Sequence, residues 1–497
     1  HNIDYFLFPD LKEKFQKENL DLINIPQHKR ISSKIFRHIH ADTALAVDHP
    51  YIFKNYPTEE IQNIPKWILN DLRKKFLNKE VSKNYPKKIY IDRSDSKSNH
   101  RNLRKITNDT PKPLFLINGK SCLERCIKEL DNYQFRNVII TIGYKSKRFL
   151  EEIDILKNKY QIDIDIYIEE KPLGECGAFW IIKDNLCTDF LFINGDLIFS
   201  VDLKKLIIFH RRLSSKLTLV THISDHPEDS DLVSVPYGNL VENIFLKSSD
   251  KKLDKNAYLG NSGICIINKE LLDKLDPREE DLKSVFQFIV KKVFDLKINI
   301  YSYNTTEYIK DMGTPKRLKV VEDDLSKGIV IRKNYVNSQK ALFLDRDNTL
   351  IKCARGEYII NKNQIQFLDK NIDNIIPISL KYDLVCLVTN QPVVAMGKID
   401  LKKLDEINSI VIKFCLAKGL KIDVVTFCPH HPHKGFKGEL EILKYDCFCR
   451  KPNPGLLVEQ SFLRNINLQE SLMIGDSEND FLAAKNAGCN FLNINEL

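Results

Sequence analysis

Short apolar runs that end in polar side chains mark the carboxyl-terminal third of the chain. The first, Ala341–Leu344, is followed by Asp345 and Asp347 and then by Asn348 and Thr349. Such a run predicts a buried strand that delivers two acids to the carboxyl edge of a sheet. Because alternate residues of an extended chain point the same way, both acids can approach one cation or one phosphate, and the arginine between them is expected to point elsewhere.

Other segments of the same region also place polar groups at predicted strand ends. They are Thr389-Asn390-Gln391 after residues 382–388, Cys449-Arg450-Lys451-Pro452, and Asp476 with Asp480 after residues 471–475. The type, order and strand context of these segments resemble the four motifs of the haloacid-dehalogenase (HAD) phosphohydrolases.

This resemblance implies phosphoryl transfer through a covalent intermediate. Asp345 would attack phosphorus, and Asp347 would protonate the departing sugar oxygen and later deprotonate the hydrolytic water. Asp345, Asp476 and the backbone carbonyl of Asp347 would bind Mg²⁺. Asp480 would orient the site, cap a helix or contact the metal. The substrate-binding residues that the resemblance implies are Thr389, Asn390, Arg450 and Lys451, with Thr389 and Lys451 on the phosphate oxygens.

A second cluster of metal-ligand residues lies in residues 428–449, which we call the Cys–His loop. Its candidate ligands are Cys428, His430, Cys447 and Cys449, with sixteen residues between the second and the third. Three sulfurs and one imidazole form a ligand set that a tetrahedral structural Zn²⁺ uses. Either His431 or His433 could replace His430, and three reduced thiols without a metal are the alternative. A bound zinc would stiffen the loop that presents Lys451.

The Cys–His loop narrows the resemblance to one HAD branch, which contains heptose 1,7-bisphosphate phosphatase and the histidinol-phosphate phosphatase domain. Asp-Arg-Asp-Asn-Thr, Val-Thr-Asn-Gln, Cys-Pro-His-His-Pro and Cys-Arg-Lys-Pro all fit that branch. One departure concerns the substrate: the branch has an Arg-Gly pair where this chain has Met396-Gly397. The missing arginine is expected to alter substrate affinity or specificity, although the hydrolytic residues are all present.

Alternating helix and strand patterns run from residue 106 to residue 328 and predict a mainly parallel sheet wrapped by helices. The predicted strands are residues 137–142, 162–168, 190–193, 217–220 and 264–267. The segment resembles sugar-1-phosphate nucleotidyltransferases in Pro111-Lys112-Pro113-Leu114, Pro172-Leu173-Gly174, Gly177-Ala178, Asn194-Gly195-Asp196, Asn261-Ser262-Gly263 and Asp311-Met312-Gly313-Thr314-Pro315. The resemblance implies a Rossmann-like mixed sheet in which Asp196 and Asp311 bind Mg²⁺ and Lys112 contacts phosphate.

The glycine-rich loop that opens the nucleotidyltransferase fold is missing. In that family, Gly-Gly-x-Gly-Thr-Arg brings backbone amides against the triphosphate. This chain has no glycine before Gly119 and no adjacent glycines, so that at most residues 101–107 correspond to the end of the loop. We therefore expect impaired or absent nucleotide transfer. Release of pyrophosphate from GTP or CTP would show the opposite.

Two flanking segments complete the predicted domains. Residues 1–105 contain a helical patch at 61–76 and a strand at 88–91, after which the sequence weakly resembles the end of a capsule or lipopolysaccharide glycosyltransferase family. We expect a truncated segment that docks a partner or is a remnant. Residues 329–338 are predicted to form a linker, with Ile329–Ile331 closing a strand, before a phosphatase domain at 339–497.

The amino-acid composition indicates a cellular compartment and a class of substrate. A length of 497 residues suits about three domains, and twelve cysteines without a disulfide pattern favour a reducing, cytoplasmic compartment. Neither a signal peptide nor an apolar run of about 18 residues is found, so no membrane span is expected. A net charge of +9 with 67 acids interleaved favours phosphorylated substrates over nucleic acid.

These patterns predict a multidomain α/β chain, in which a nucleotidyltransferase-like mixed sheet precedes a HAD-like doubly wound parallel sheet with a zinc loop. The expected activity removes the 7-phosphate of a heptose 1,7-bisphosphate during assembly of an activated surface sugar. The alternatives are a histidinol-phosphate phosphatase, a guanylyltransferase-like enzyme with an accessory phosphatase, and a binding or scaffold protein. Expected partners are a phosphorylated sugar, and nucleotide sugar or pathway enzymes at the front domains.

Overall fold

The computed structural model describes residues 110–143, 145–171, 173–227, 230–247, 257–276, 284–354 and 356–497, together with three short strands before residue 110. The chain forms two units, His1–Tyr85 and Pro86–Leu497. In the first unit, β1 (Phe6–Phe8) and β2 (Arg30–Ser32) pair in parallel. The helix predicted at 61–76 and the sequence 93–107 lie outside the described residues. No helix in the described part of the chain is both long and apolar enough to cross a bilayer.

The first part of the second unit is a mixed sheet with helices against it. Its strands are β3 (Ile89–Asp92), β4 (Leu116–Ile117), β5 (Lys120–Ser121), β6 (Asn137–Ile142), β7 (Asp163–Ile168), β8 (Asp189–Asn194), β9 (Leu197–Ser200), β10 (Leu217–Ile223), β11 (Leu232–Ser234), β12 (Asn243–Phe245), β13 (Leu259–Asn268), β14 (Ile300–Asn304) and β15 (Tyr308–Asp311). Its helices are α1 (Cys122–Asn132), α2 (Ser146–Lys159), α3 (Ala178–Ile181), α4 (Leu203–Arg212), α5 (Lys291–Asp295) and α6 (Pro315–Ser326). We call this part the middle domain.

The main sheet of the middle domain has the order β12-β11-β13-β8-β3-β6-β7, with β10 joined to β13 and β14 joined to β10. Strands β8, β3, β6 and β7 are mutually parallel, whereas β13 runs antiparallel to both β8 and β10. The sheet is therefore mixed, as the resemblance implied. All five predicted strands are present, and four of them are longer or shorter than predicted by one to six residues.

Strand β3 corrects one assignment made from the sequence. Residues 88–91 were placed with the amino-terminal segment 1–105, but Ile89–Asp92 lies in the centre of the middle sheet, between β6 and β8. A central strand needs hydrogen-bonding neighbours on both edges, and here the neighbours come from residues far along the chain. This strand therefore occupies the place of a first strand in the middle domain.

The connection between the two sheets is helical and partly buried, which corrects the second assignment. Residues Ile329–Arg332 form a short helix, α7, and not the end of a strand. Asn334 donates to the Tyr133 hydroxyl at 3.0 Å and to Ser200 Oγ at 3.1 Å. The side chain of Gln339 is 1% exposed and donates to backbone carbonyls of the same segment. The predicted linker is thus a packed part of the fold.

The last part of the second unit, which we call the phosphatase-like domain, has a five-stranded parallel sheet in the order β18-β17-β16-β19-β20. The strands are β16 (Ala341–Leu344), β17 (Leu384–Asn390), β18 (Val424–Cys428), β19 (Leu472–Gly475) and β20 (Asn490–Asn493). The helices are α8 (Asp369–Ser379), α9 (Leu401–Lys418), α10 (Gly455–Arg464) and α11 (Glu478–Ala487). The strand order reverses between β16 and β19, which is where open α/β sheets bind ligands.

Helices cover both faces of this sheet. Ala341 and Phe343 pack in one apolar cluster with residues of α10 and α11, such as Leu457 and Ala484. Leu342 and Leu344 point to the opposite face and pack with residues of α8 and α9, such as Ile375. This alternation confirms a doubly wound sheet.

The same second cluster continues into the middle domain. It joins the α8–α9 side of the phosphatase-like sheet to buried residues of the middle sheet, such as Val233 and Leu259. Polar contacts also cross the boundary: Lys421 Nζ lies 2.9 Å from Asp225 Oδ1. The two domains therefore share one apolar core.

The Cys–His loop packs closely over Gly397. This glycine has a φ of +68°, and a Cβ atom built on it would lie 1.8 Å from the carbonyl oxygen of Gly438. Leu440 N donates to the carbonyl of Ala395 at 3.0 Å, which ties the two segments together. Only a residue without a side chain permits this approach.

Replacing Gly397 by alanine is expected to destabilise the protein more than the same change at Gly328. Gly328 has a φ of +70° and no atom within 4 Å of a built Cβ, so that Gly328→Ala adds only the left-handed backbone penalty, about 1 kcal/mol. Gly397→Ala adds the clash with Gly438, and the loss of unfolding free energy should be about 2 kcal/mol greater. Urea unfolding of both variants measures the difference. Equal losses would show that the loop adjusts freely.

Glu307 is a buried acid that joins three parts of the middle domain. Its Oε1 accepts from Asp202 N at 2.7 Å and from Tyr335 N at 2.9 Å, and its Oε2 accepts from Thr305 Oγ1 at 2.9 Å. Burial raises the pKa of Glu307 from 4.5 to about 7, against the effect of these hydrogen bonds.

Glu307→Gln is expected to remove a pH dependence of stability. The carboxyl binds its proton more tightly in the folded protein than in the unfolded chain. Its contribution to the free energy of unfolding is therefore complete below pH 4.5 and is lost as pH rises through about 7. Glutamine keeps the acceptor oxygen without the charge. At pH 8 the variant should be more stable than wild type, by at most about 3 kcal/mol, and near pH 4.5 the two should match. Urea unfolding between pH 4.5 and pH 8 measures the difference, and Glu441→Gln, at an exposed position, is the control. Equal stability of Glu307→Gln and wild type at pH 8 would contradict the prediction.

Candidate functional site

Three carboxylates meet at the carboxyl edge of the phosphatase-like sheet. Asp345 follows β16, Asp476 follows β19, and Asp480 lies in the first turn of α11. One oxygen of each lies within 4.8 Å of the others, and Asp345 and Asp480 are buried. The parallel pairing of β16 with β19 places the first two side by side. The sequence pattern of strand ends predicted this meeting.

Lys451 lies between two of these acids. Its Nζ is 2.5 Å from Asp345 Oδ1 and 2.6 Å from Asp480 Oδ1, and it donates to the carbonyl of Val388 at 2.9 Å. Burial disfavours the ammonium, but Asp345 and Asp480 outweigh burial and raise the pKa of Lys451. The lysine therefore stays charged beside Asp345, where an ammonium can also donate to a phosphate oxygen.

The electrostatics of the acids favour a bound cation. Burial raises the pKa of Asp345 to about 7; Lys451 acts in the opposite direction, and Asp480 and Asp347 add to the increase. Burial and Asp480 also raise the pKa of Asp476. Neighbouring carboxylates raise one another's pKa because each disfavours a second negative charge, and a cation would relieve this. Three carboxylate oxygens so close together suit Mg²⁺. The residues present therefore fit a divalent cation.

Asp480 both caps a helix and orients the site, which are two of the three roles considered from the sequence. Its Oδ2 accepts from the backbone N and the Oγ of Ser477, at 3.1 and 2.6 Å, and thereby caps α11. Its other oxygen holds Lys451. The carboxyl also belongs to the group that could bind a metal.

Asp347 does not stand free beside Asp345. Its Oδ1 accepts from Arg346 Nε at 3.1 Å, and its Oδ2 accepts from Arg346 Nη2 at 3.2 Å and from Gln391 Nε2 at 2.9 Å. The expectation that Arg346 points away from both acids is wrong, because the strand ends at Leu344 and the alternation of an extended chain no longer holds. Neither Arg346 nor Gln391 was among the predicted site residues.

The predicted substrate-binding residues all hydrogen-bond within the protein, and the contacts of Lys451 are those given above. Thr389 is buried at the end of β17 and its Oγ1 accepts from Gln391 at 2.8 Å. The Asn390 amide donates to the Lys451 carbonyl at 2.9 Å and accepts from Lys451 N at 3.0 Å, so it fixes the backbone of Lys451. Arg450 is partly exposed, and its Nη1 donates to the carbonyl of His430 at 3.3 Å. Asn390 and Arg450 therefore bond to backbone groups, whereas the Thr389 hydroxyl bonds to a side chain.

The four predicted ligands of the Cys–His loop come together. Cys428, His430, Cys447 and Cys449 each offer an atom, and all four atoms lie within 4.8 Å of one another. The sulfurs of Cys447 and Cys449 are 3.4 Å apart, and His430 Nδ1 is 3.1 Å from the latter. A cation is the simplest way to hold three sulfurs so close.

The histidine of this cluster is oriented by a neighbour. Tyr445 Oη lies 2.7 Å from His430 Nε2, which leaves Nδ1 facing the sulfurs. His431 instead uses Nδ1 to accept from His433 N at 3.1 Å. The structure therefore places His430, and not the alternatives, beside the cysteines. The contact of Tyr445 with His430 could not be predicted from the sequence. The spacing of metal ligands does not indicate which residue hydrogen-bonds to the far side of a ligand.

The predicted nucleotidyltransferase residues are only partly arranged for metal binding. Lys112 Nζ lies 3.9 Å from Asp196 Oδ2. Asp311 pairs across the β9–β15 ribbon with Leu197, next to Asp196. However, both oxygens of Asp311 accept from Arg317 Nη1 at 2.9 Å, and Oδ1 also accepts from Gly313 N. Asp311 is thus held in a partly exposed ion pair with Arg317.

Comparisons with known proteins match the middle domain and the phosphatase-like domain to two different families. The Nucleotidyl transferase family model matches residues 101–328, and the HAD-hydrolase-like model matches residues 448–495. A mannose-1-phosphate guanyltransferase of Schizosaccharomyces pombe is 26% identical over 220 residues, which cover 43% of this chain and 58% of the relative. The chain thus spans little more than half of the length of that relative.

The phosphatase-like domain has more similar relatives. D-glycero-beta-D-manno-heptose-1,7-bisphosphate 7-phosphatase of Pasteurella multocida is 36% identical over 149 residues, which cover 30% of this chain and 77% of the relative. The crystal structure of a HAD-like phosphatase from Mesorhizobium loti is 31% identical and covers 31% of this chain and 70% of its own, with a TM-score of 0.28. Through its carboxyl-terminal domain, the chain belongs to the HAD-like phosphatase family that includes the heptose-bisphosphate phosphatases.

Proposed function

We propose that the chain is a Mg²⁺-dependent phosphatase that hydrolyses the 7-phosphate of D-glycero-D-manno-heptose 1,7-bisphosphate. The observation that carries the proposal is the convergence of Asp345, Asp476 and Asp480 around Lys451 at one sheet edge. The similarity to the Pasteurella multocida enzyme supports the choice of substrate. The product would be a heptose 1-phosphate, for the assembly of a nucleotide-activated sugar.

Asp345 is proposed to attack phosphorus as a carboxylate. The bond between phosphorus and the sugar oxygen breaks, Asp347 gives that oxygen a proton, and an aspartyl phosphate forms. Asp347 then takes a proton from water as the water attacks phosphorus, and Asp345 and inorganic phosphate are released. Lys451 and Thr389 hold phosphate oxygens. Mg²⁺ bound by Asp345, Asp476 and the Asp347 carbonyl would neutralise charge on the phosphoryl oxygens.

Asp345→Asn should abolish phosphate release from the heptose bisphosphate, and Asp347→Asn should lower it by about 10²- to 10⁴-fold, because the nucleophile and the proton-transfer group are lost. Asp373→Asn, which changes a carboxylate that is 59% exposed on α8, should leave turnover unchanged. Phosphate release is measured from both anomers and from histidinol phosphate. Wild-type turnover in Asp345→Asn would reject the assigned nucleophile, and a preference for histidinol phosphate would reject the assigned substrate.

We also propose that the Cys–His loop binds one structural Zn²⁺. The support is the meeting of three sulfurs with a single imidazole nitrogen, the imidazole being fixed from behind by Tyr445. A zinc there would hold the segment that leads directly into Lys451, without taking part in the reaction.

Metal analysis of the purified protein should find about one equivalent of zinc. The double change Cys447→Ser and Cys449→Ser removes two of four ligands, so the zinc should be lost and the thermal midpoint should fall. Cys187→Ser, at a partly exposed thiol of the middle domain, should keep the metal. Full zinc content in the double variant would contradict the assignment.

A nucleotidyltransferase is the second candidate, since the family model spans 101–328. We propose that the middle domain does not transfer nucleotides, because the glycine-rich loop is missing from the sequence and Arg317 holds Asp311. Pyrophosphate release from GTP or CTP in the presence of heptose 1-phosphate would reject this part of the proposal and favour a bifunctional enzyme.

A further inference from the structure

Arg346 is a fully buried arginine between the two acids of the first motif. Its side chain is 0% exposed, and two of its nitrogens donate to the two oxygens of Asp347. The third nitrogen, Nη1, donates to Asn408 Oδ1 at 2.9 Å. A guanidinium is a rigid planar fork, so the position of one arm fixes the direction of the other two. Asn408 therefore sets the orientation in which Arg346 meets Asp347.

Asn408 lies on α9, and the middle domain holds the preceding turn of that helix. Asp405, three residues earlier, is 6% exposed. Its Oδ2 accepts from Ser234 Oγ at 3.1 Å, and its carboxyl also accepts from the Tyr258 hydroxyl. Residues three apart share one side of a helix. Helix α9 is thus tied to β11 and to the residue before β13, close to the turn that carries Asn408.

We propose that Asn408 positions Asp347 through Arg346, and that Ser234 and Tyr258 of the middle domain keep α9 in place for this purpose. The inference rests on the proposed phosphatase function. It gives the middle domain a role in hydrolysis that needs neither nucleotide nor metal there. Arg346 and Asn408 are positioning residues, since only Asp347 would exchange a proton with substrate.

The choice of leaving group separates positioning from a general loss of structure. A sugar oxygen must receive a proton as it leaves, whereas p-nitrophenolate leaves without one. Misplacing Asp347 should therefore slow both half-reactions with the sugar phosphate. With p-nitrophenyl phosphate it should slow only the hydrolysis of the aspartyl phosphate.

Asn408→Leu removes the acceptor for Arg346 at nearly constant volume. We expect turnover of the heptose bisphosphate to fall by about 10- to 100-fold. With p-nitrophenyl phosphate, stopped-flow absorbance should show a burst of about one equivalent followed by a slow steady state. Asn408→Asp keeps an acceptor oxygen for Arg346 and should therefore have wild-type kinetics. Ser409→Ala should also match wild type, because the buried Ser409 hydroxyl has no hydrogen-bond partner among the described residues.

The contribution of the middle domain is tested in the full chain by Ser234→Ala combined with Tyr258→Phe. This pair should give the same burst with a smaller loss of turnover, about 3- to 10-fold. Lys402→Ala is the control, because it removes an exposed ion pair across the same boundary, 3.6 Å from Glu242, and should leave kinetics unchanged. If the pair behaves like Lys402→Ala, the middle-domain part is wrong.

Failure of the inference is distinct from failure of the proposed function. If wild type releases no phosphate from any sugar phosphate, the proposed function is wrong. If wild type is active and Asp345→Asn is not, but Asn408→Leu shows no burst or lowers burst and steady state equally, only the positioning inference is wrong. Should Asn408→Leu fail to fold, Ser234→Ala with Tyr258→Phe decides by the same burst measurement.

Discussion

The buried ion pairs of Lys451 with Asp345 and Asp480 are the interaction on which the candidate site depends. The lysine and both acids are at most 6% exposed. An unpaired ammonium at that depth would cost several kcal/mol, so burial of Lys451 depends on its contacts with Asp345 and Asp480. Their positions come from β16, from the segment after the Cys–His loop and from α11. The charge cluster thus ties three distant parts of the domain to one point.

The backbone around Lys451 is fixed from two directions. Asn390, at the end of β17, exchanges two hydrogen bonds with the main chain of Lys451. On the other side, the Asn453 amide donates to the carbonyl of Cys447, and Gly455 N donates to that of Phe448. The Cys–His cluster therefore connects to Lys451 through a few residues of hydrogen-bonded backbone. A metal in the cluster would act on the reaction by limiting how far this segment can move.

The sequence predicted the parts of the site that depend on strand ends, and it missed the parts that depend on tertiary contacts. Apolar runs before Asp345 and Asp476 were sufficient, because parallel strands deliver their ends to one edge. Arg346 was misjudged because the alternation of an extended chain was continued past the last residue of β16. Asn408 gave no signal, since a polar residue within a helix usually faces solvent and its partner is 62 residues away. The run Ile329–Ile331 was too short for periodicity to separate helix from strand.

Strand β3 shows why the domain boundary at residue 105 was misplaced. A sequence of four residues with high β propensity predicts a strand but does not indicate which strands pair with it, and here these are β6 and β8. Once β3 belongs to the middle sheet, residues 93–109 follow its carboxyl end, where the family has its glycine-rich loop. The missing glycines and the capture of Asp311 by Arg317 then concern the same domain. Neither change disturbs the apolar cluster that the middle domain shares with α8 and α9. The surface that supports the neighbouring domain therefore does not depend on the glycine-rich loop or on a free Asp311, since the two features rest on different residues.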